Sequence, residues 1–152
     1  MSWLTVIDVY SNSIFKERLI MVSTKGRYAI RLMIDLAEQN SNTPVPLDSI
    51  ANRQDISKKY LESIVKQLVN GKLVKGASGK GGGYYLTRKP EEYTIIEILR
   101  LTEGSLATVA CLEEGAAECP HVSSCKTLSM WKGYNELTND YFSKITIQDL
   151  LK

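Results

Sequence analysis

Cysteine and histidine are scarce in this sequence and unevenly placed. The 152 residues include three cysteines and one histidine, and all four lie in CLEEGAAECPHVSSC, residues 111–125. An odd number of thiols excludes complete pairing in disulfides, and the Cys-x-x-Cys spacing of zinc knuckles is absent. The segment therefore predicts metal or redox chemistry confined to one loop.

Long apolar runs are missing as well. No stretch approaches the roughly 20 apolar residues that a membrane-spanning helix needs. The opening MSWLTVIDVYSNSIFKERLI lacks the basic start and small-residue cleavage site of a secretory signal. We therefore expect a cytoplasmic protein, and in that reducing compartment clustered cysteines are metal ligands or redox groups more often than structural disulfides. The apolar content of 43% suffices for one core and a small appendage.

Motifs of common enzyme classes are also lacking. The glycines do not match the G-x-x-x-x-G-K-[ST] loop of nucleotide-binding proteins. A cysteine nucleophile with His121 as its base would need an acid and an oxyanion motif, and neither accompanies it. We expect that the chain is not an enzyme.

Charge is balanced overall but segregated along the chain. Residues 21–90 carry twelve Lys and Arg against five Asp and Glu, a net +7, whereas residues 91–152 carry five against ten, a net −5. A basic block of this size is typical of polyanion binding, because each neutralised phosphate releases counterions. A solvated basic face is the alternative.

The basic block has the periodicity of a helix-turn-helix. Ser23 to Gln39 predicts a first helix, and LDSIANRQD a short second one. Ser57 is a plausible N-cap for a third helix that ends at Asn70-Gly71, and the polar, basic leading end of this helix is typical of one that enters the DNA major groove. Leu73-Val74 and Tyr84 to Thr87 then predict two strands joined by a glycine-rich tip, which together form a wing.

These motifs resemble the IscR-type winged helix-turn-helix transcriptional regulators of the Rrf-two superfamily. The resemblance lies in the TKGRYA opening, the IS-x-x-YLE helix, the GGGY wing and the cysteine trio before a long helix, and it runs from about Met21 to the C-terminus. It implies a mainly α fold with a β-hairpin wing and a long C-terminal dimerisation helix. It also implies a homodimer that binds palindromic operators in double-stranded DNA, with repression as the expected outcome.

The resemblance also implies which residues contact DNA. Lys59, Tyr60 and Ser63 would face the groove, and Glu62 stands where some members use a carboxylate to discriminate sequence. Ser78 replaces a minor-groove arginine of the IscR pattern. The complete expected set is Lys25, Arg27, Lys58, Lys59, Tyr60, Glu62, Ser63, Ser78 and Lys80.

In sensing members the loop cysteines ligate an iron-sulphur cluster, which implies that role for Cys111, Cys119 and Cys125, with [2Fe-2S] expected over [4Fe-4S]. The cysteines here are separated by seven and then five residues, against five and five in the IscR pattern, and Leu128 stands where that pattern has its histidine. The candidates for the fourth ligand are His121, three loop glutamates and a residue of the partner subunit. A structural zinc site, a metal-free thiol sensor and control by a protein partner remain alternatives.

The sequence suggests four segments. They are an N-terminal extension at residues 1–20, a winged helix-turn-helix domain at 21–90, a linker helix with the cysteine loop at 91–125, and a dimerisation helix with its tail at 126–152. Ile95, Ile96 and Leu99 mark the linker helix, which Gly104 ends. A wide apolar stripe follows the loop at Leu128, Trp131, Tyr134, Leu137 and Tyr141, which fits a buried core helix or a helix at a twofold axis.

Overall fold

Five α-helices and one β-hairpin make up the described residues, 22–39 and 43–151, of the computed structural model. They run in the order α1 (Thr24–Gln39), α2 (Leu47–Gln54), α3 (Lys58–Asn70), β1 (Val74–Ala77), β2 (Gly83–Leu86), α4 (Ile95–Glu103) and α5 (Leu128–Lys144). Single 3-10 turns occupy Pro90–Glu92, Ala110–Leu112 and Gln148–Leu150. The predicted mainly α fold with a hairpin wing is confirmed, and the extension predicted at residues 1–20 lies outside the described residues.

One hydrophobic core holds the first four helices together. Most of its fully buried side chains come from the stripes of α1, α2, α3 and α4, namely Leu32, Met33, Ile50, Leu61, Ile64, Leu68, Ile98 and Leu99; Val74, Tyr93 and Ile147 complete it. Burial of each large aliphatic side chain contributes about 1.5–3 kcal/mol relative to leaving it exposed. The apolar periodicity of the sequence therefore sets how the helices of the winged domain pack.

The ends of α2 and α3 fix the turn between them. Asp55 ends α2 in the left-handed conformation, with φ of 52°. The Ser57 side chain then accepts a hydrogen bond from the Tyr60 amide, which confirms Ser57 as the N-cap. At the other end, α3 stops at Asn70 with Gly71 as its C-cap, which confirms the predicted helix end. Gly71 has φ of −76°, and the left-handed residue that follows is Lys72, with φ of 61°.

A buried ion pair ties α1 to α2. The Asp35 side chain is 1% exposed and accepts hydrogen bonds from Arg53 Nη2 at 2.6 Å, Arg53 Nε at 3.0 Å and Gln54 Nε2 at 3.0 Å. The hydrogen bond to Asp35 raises the pKa of Arg53. Since a buried carboxylate needs this degree of pairing, the ion pair fixes where α2 lies on α1.

The wing is a two-stranded antiparallel hairpin with a third segment at its base. Val74 pairs with Leu86 and Ala77 with Gly83. Val45, in the segment before α2, exchanges two backbone hydrogen bonds of 2.8 and 2.9 Å with Tyr84. Gly83 allows this approach, because a Cβ there would lie 2.3 Å from the Val45 carbonyl oxygen. The wing is thereby attached to the start of the helix-turn-helix.

Tyr93 joins the wing to the C-terminal segment. Its buried hydroxyl donates to the Leu73 carbonyl at 3.0 Å, accepts from the Arg88 amide at 2.6 Å and lies 3.1 Å from Thr87 Oγ1. The Tyr93 carbonyl accepts a hydrogen bond from the Ile147 amide at 3.0 Å. Because Ile147 is fully buried, the chain after α5 returns to the winged domain and is held there.

Helix α5 packs on α4 but leaves its own apolar stripe open. None of its residues is buried, and Met130, Tyr134, Leu137 and Tyr141 are 55–70% exposed. Within this chain the stripe is therefore not that of a core helix. No helix in the described ranges has the length and apolar character to cross a membrane.

The Tyr93 hydroxyl should contribute measurably to folding. In Tyr93→Phe the Arg88 amide loses its acceptor, and an unsatisfied buried donor costs about 1–3 kcal/mol. We expect urea unfolding to show a loss of this size without a change in m-value. The control is Tyr85→Phe, because Tyr85 is a half-buried residue of β2 that lies outside both the Tyr93 contacts and the exposed face of α5. Equal stabilities for the two variants would contradict a role for this hydroxyl at the base of the wing.

Candidate nucleic-acid interface and cysteine loop

The leading end of α3 presents a polar and charged surface. Lys59, Glu62 and Ser63 are exposed, as the sequence predicts for a groove-facing helix. The Ser63 hydroxyl donates to the Tyr60 carbonyl at 2.7 Å, which leaves its lone pairs to accept a hydrogen bond from a partner. Lys58 differs, since its ammonium lies 2.9 Å from Asp48 Oδ2, and this hydrogen bond raises the pKa of Lys58. Lys58 therefore ties α3 to α2 through an exposed ion pair.

Tyr60 is held in place from α1. Its ring packs edge to face on Tyr28, with centroids 5.7 Å apart and an interplanar angle of 74°. The Arg31 guanidinium lies over the Tyr28 ring, 5.3 Å from its centroid. It also donates hydrogen bonds to Gln54 Oε1 and to the Gln54 backbone carbonyl. Sequence reasoning missed Tyr28 and Arg31. Only their position, one helical turn apart on the edge of the α1 stripe, could have indicated them.

The start of α1 is fastened to the end of α4. Glu103 Oε1 accepts hydrogen bonds from the Ser23 hydroxyl at 2.7 Å and the Ser23 amide at 3.2 Å, and the Ser23 hydroxyl accepts from the Gly26 amide. Gly26 makes room for this carboxylate, because a Cβ there would lie 2.3 Å from it. Lys25 and the exposed Arg27 project from this anchored first turn.

The wing tip exposes Ser78 and Lys80 on a turn that depends on glycine. Gly79 and Gly81 have φ of 95° and 81°, where other residues are strained, and the Gly82 amide donates to the Gly79 carbonyl at 2.9 Å. All nine residues expected to contact DNA lie on the N-terminal turn of α1, the leading half of α3 or the wing tip.

The cysteine loop brings its three thiols to one cavity. Cys111, Cys119 and Cys125 are free thiols and line a space of about 190 Å³, together with Glu118, Leu128 and Lys132. His121 is exposed and does not line this cavity, and Glu113 and Glu114 line a different one. Leu128, at the position where the IscR pattern has a ligand, lines the same cavity as the thiols. In the described residues no group of three or more His, Cys, Asp or Glu side chains is close enough to hold a metal ion.

Cys125 is the loop thiol with a shifted acidity. Its sulphur lies 3.5 Å from Thr127 Oγ1, and hydrogen bonds from the Thr127 hydroxyl and amide lower the pKa of Cys125. Donors that stabilise the thiolate increase its fraction at neutral pH, and the thiolate is both the nucleophile and the metal ligand. The loop therefore has one thiol prepared for either chemistry.

Comparison with known proteins agrees with this geometry. Residues 22–152 match the family model Rrf2, described as iron-dependent transcriptional regulators. The regulator IscR of Xenorhabdus nematophila is 32% identical over 131 residues, which cover 86% of this chain and 79% of the relative.

Two solved structures show the same likeness in three dimensions. CymR of Bacillus subtilis, the global cysteine regulator, superposes with a TM-score of 0.69 and 34% identity over 86% of this chain and 95% of its own. The oxidized form of Staphylococcus aureus CymR has a TM-score of 0.66 and 31% identity over 87% and 96%. Since the relatives are transcriptional regulators, the expectation that the chain is not an enzyme is confirmed. The resemblance found in the sequence is confirmed too: this chain belongs to the Rrf2 family of transcriptional regulators.

Proposed function

We propose that the chain binds double-stranded DNA in the cytoplasm and regulates transcription, mainly as a repressor. The observation that carries this is the common placement of exposed basic and polar groups on α3, the first turn of α1 and the wing tip, within a segment of net charge +7. In a helix-turn-helix protein the second helix of the motif enters the major groove. Here that helix is α3, and the wing lies beside it.

The proposed contacts divide by chemistry. Tyr60, Glu62 and Ser63 offer hydrogen-bonding groups to base edges, and Lys59 offers a cation to bases or phosphate. Lys25, Arg27 and Lys80 would neutralise phosphates, and Ser78 would approach the backbone at the wing tip. Lys58 would reach DNA only by exchanging Asp48 for a phosphate, because its ammonium is already paired.

The exposed face of α5 supports a homodimer. Tyr134, Leu137 and Tyr141 are each more than half exposed, and with Phe142 and Ile145 they line an apolar groove of about 720 Å³. Large exposed apolar patches mark interaction sites. A second copy packed on this face would present two α3 helices to a palindromic operator, whose half-sites lie about 34–36 Å apart. Residues 21–90 would then read DNA, residues 91–125 would sense and residues 126–152 would dimerise.

Two variants should separate dimerisation from DNA contact. Leu137→Glu places a charge on the exposed apolar face, so we expect a monomer in analytical ultracentrifugation and a loss of affinity for selected operator duplex of at least about tenfold. Lys59→Ala should remain dimeric and lose about 1–3 kcal/mol of binding free energy in fluorescence anisotropy. The duplex is one selected by the wild-type protein from a random pool. A dimeric Leu137→Glu protein, or a Lys59→Ala protein with full affinity, would contradict the respective assignment.

The three thiols that share one cavity support an iron-sulphur cluster on the loop, of the [2Fe-2S] type. The donor set fits by its chemistry, since thiolates are the usual protein ligands of such clusters, although the described side chains do not converge as they would around a single metal ion. The basic residue Lys132 lines the same cavity. When bound, the cluster supplies redox and iron chemistry, and its state would set DNA affinity. The residues that would hold it are Cys111, Cys119 and Cys125. Among the side chains of the loop, Glu118 is better placed than His121 for a fourth ligand, because only Glu118 lines the cavity.

Anaerobic purification tests the cluster directly. We expect a coloured protein with visible absorption, with bound iron and sulphide in equal amounts, and a change in operator affinity of about 5- to 150-fold when the cluster is removed. Cys119→Ala should lose both the colour and this change, while its apo-form affinity stays that of the wild type. A colourless, iron-free wild-type protein that binds its operator normally would exclude the cluster.

The lowered pKa of Cys125 favours a second candidate signal, the reversible oxidation of a loop thiol. Oxidants attack the thiolate, so the thiol with the larger thiolate fraction reacts first. The oxidized form of the Staphylococcus aureus CymR structure is consistent with such chemistry in a relative. In this alternative the same loop regulates DNA binding without a metal.

Replacing Thr127 should slow the reaction of Cys125. In Thr127→Val the hydroxyl donor is lost, so the pKa of Cys125 rises and the thiolate fraction at pH 7 falls. We expect slower alkylation by iodoacetamide and a pH midpoint of the rate shifted upward, with equal rates well above that midpoint. The measurement uses a background in which Cys111 and Cys119 are Ser. Thr138→Val is the control, because that hydroxyl donates to its own helix at Tyr134, and matching rates for both variants would argue against the Thr127 contact.

A further inference from the structure

A second, polar cavity lies beside the cysteine loop. It measures about 600 Å³ and is bounded by α4, by the segment entering the loop and by α5. Its charged and amide groups are Arg100, Glu113, Glu114, Asn135 and Asn139. Small-molecule sites occupy about 300–1,000 Å³, so the volume admits a small ligand.

Opposite charges line this cavity without pairing to each other. Among the described residues the ion pairs within 4.0 Å include neither Arg100 nor Glu113 nor Glu114. Arg100 uses one guanidinium nitrogen to donate to Asn139 Oδ1 at 2.9 Å. Its remaining N–H groups are available to a carboxylate, which guanidinium binds through two parallel hydrogen bonds.

A buried acceptor in the same wall lacks a donor. Asn135 Oδ1 is buried and has no hydrogen-bond partner in the structure. The neighbouring Asn139 side chain donates to the Asn135 backbone carbonyl at 2.7 Å and not to Asn135 Oδ1. An unsatisfied buried acceptor is costly, so a ligand N–H group would be stabilised by this oxygen once the Asn135 side chain turns it toward the cavity.

We propose that this cavity binds a free α-amino acid. The carboxylate of the ligand would pair with Arg100, and its ammonium group would donate to Asn135 Oδ1 and lie among the carboxylates of Glu113 and Glu114. A simple anion would satisfy Arg100 but face two glutamates. A simple cation would satisfy the glutamates but face Arg100. A compact zwitterion meets both sets of charges.

The position of the cavity gives the amino acid a regulatory role, and this part rests on the proposed function. Leu112 lines both this cavity and the cavity of the three thiols, so the two sites share a wall. A ligand held between α4, the loop and α5 would favour one arrangement of the three. It would change operator affinity only if it binds that arrangement more tightly.

Calorimetry on the full-length protein without DNA tests the site. Each proteinogenic L-amino acid is titrated at millimolar concentration, and the strongest binder is then compared with its N-acetyl derivative and its amide. We expect saturable binding of at least one amino acid and at least about tenfold weaker binding of both derivatives, since each lacks one charge. No binding by any amino acid, or equal binding by either derivative, overturns the proposal.

Variants assign the charges to residues. Arg100→Gln and the double change Glu113→Gln with Glu114→Gln should each weaken binding at least about tenfold, whereas Lys126→Gln, an exposed change outside the cavity, should retain it. Undiminished binding by Arg100→Gln also overturns the proposal. Without amino acid, the operator affinity of Arg100→Gln should equal that of the wild type. If the wild-type protein itself does not bind DNA, that result counts against the proposed function and not against this site. If a variant fails to fold, the comparison of derivatives on the wild-type protein still decides.

Discussion

The buried hydroxyl of Tyr93 is the constraint on which the placement of the wing depends. It donates a hydrogen bond to the Leu73 carbonyl before β1 and accepts one from the Arg88 amide after β2, so one side chain fixes both ends of the hairpin. The backbone of the same residue holds Ile147, beyond the end of α5. A two-stranded hairpin is marginally stable alone, and here its geometry comes from this node and from Val45. The surface proposed to meet DNA is therefore fixed by residues that do not themselves touch DNA.

Two anchors connect the segment that is proposed to sense, residues 91–125, to this fixed surface. Glu103, the last residue of α4, holds Ser23 at the start of α1, and Ile147, after α5, is held by Tyr93. The cysteine loop lies between α4 and α5, so these two helices are the covalent route by which a change in the loop would reach the winged domain. The contact between Tyr93 and Ile147 leads to the wing, and the contact between Glu103 and Ser23 leads to Lys25 and Arg27. A modest coupling free energy of about 1–3 kcal/mol over such a route suffices for regulation.

The sequence predicted the helices that have a periodic apolar stripe and the helix start that has a capping residue. Apolar periodicity located α1, α3 and α4, and Ser57 located the start of α3, because both signals are local. It could not show that Lys58 pairs with Asp48, that Tyr60 rests on Tyr28, or that Asp35 is buried with Arg53, since these contacts depend on how helices cross. It also grouped His121 with the cysteines by proximity in the chain. In the structure His121 is exposed and lies outside the thiol cavity, whereas Leu128 lines that cavity.

Two cavities beside the cysteine loop are lined by polar groups that the chain itself leaves open. Three thiols, the buried amide oxygen of Asn135 and opposed charges line them. In the winged domain the buried Asp35 carboxylate is matched by three donors, although Gln67 Oε1 of α3 also lacks a partner. Unsatisfied groups of this kind are stabilised by whatever fills them, so the free energy of an added ligand acts there most strongly. Leu112 forms part of both cavity walls, so a ligand that shifts Leu112 from one side would alter the packing on the other. In the proposed function, this shared wall would let two chemical signals combine before either reaches α1 and the wing.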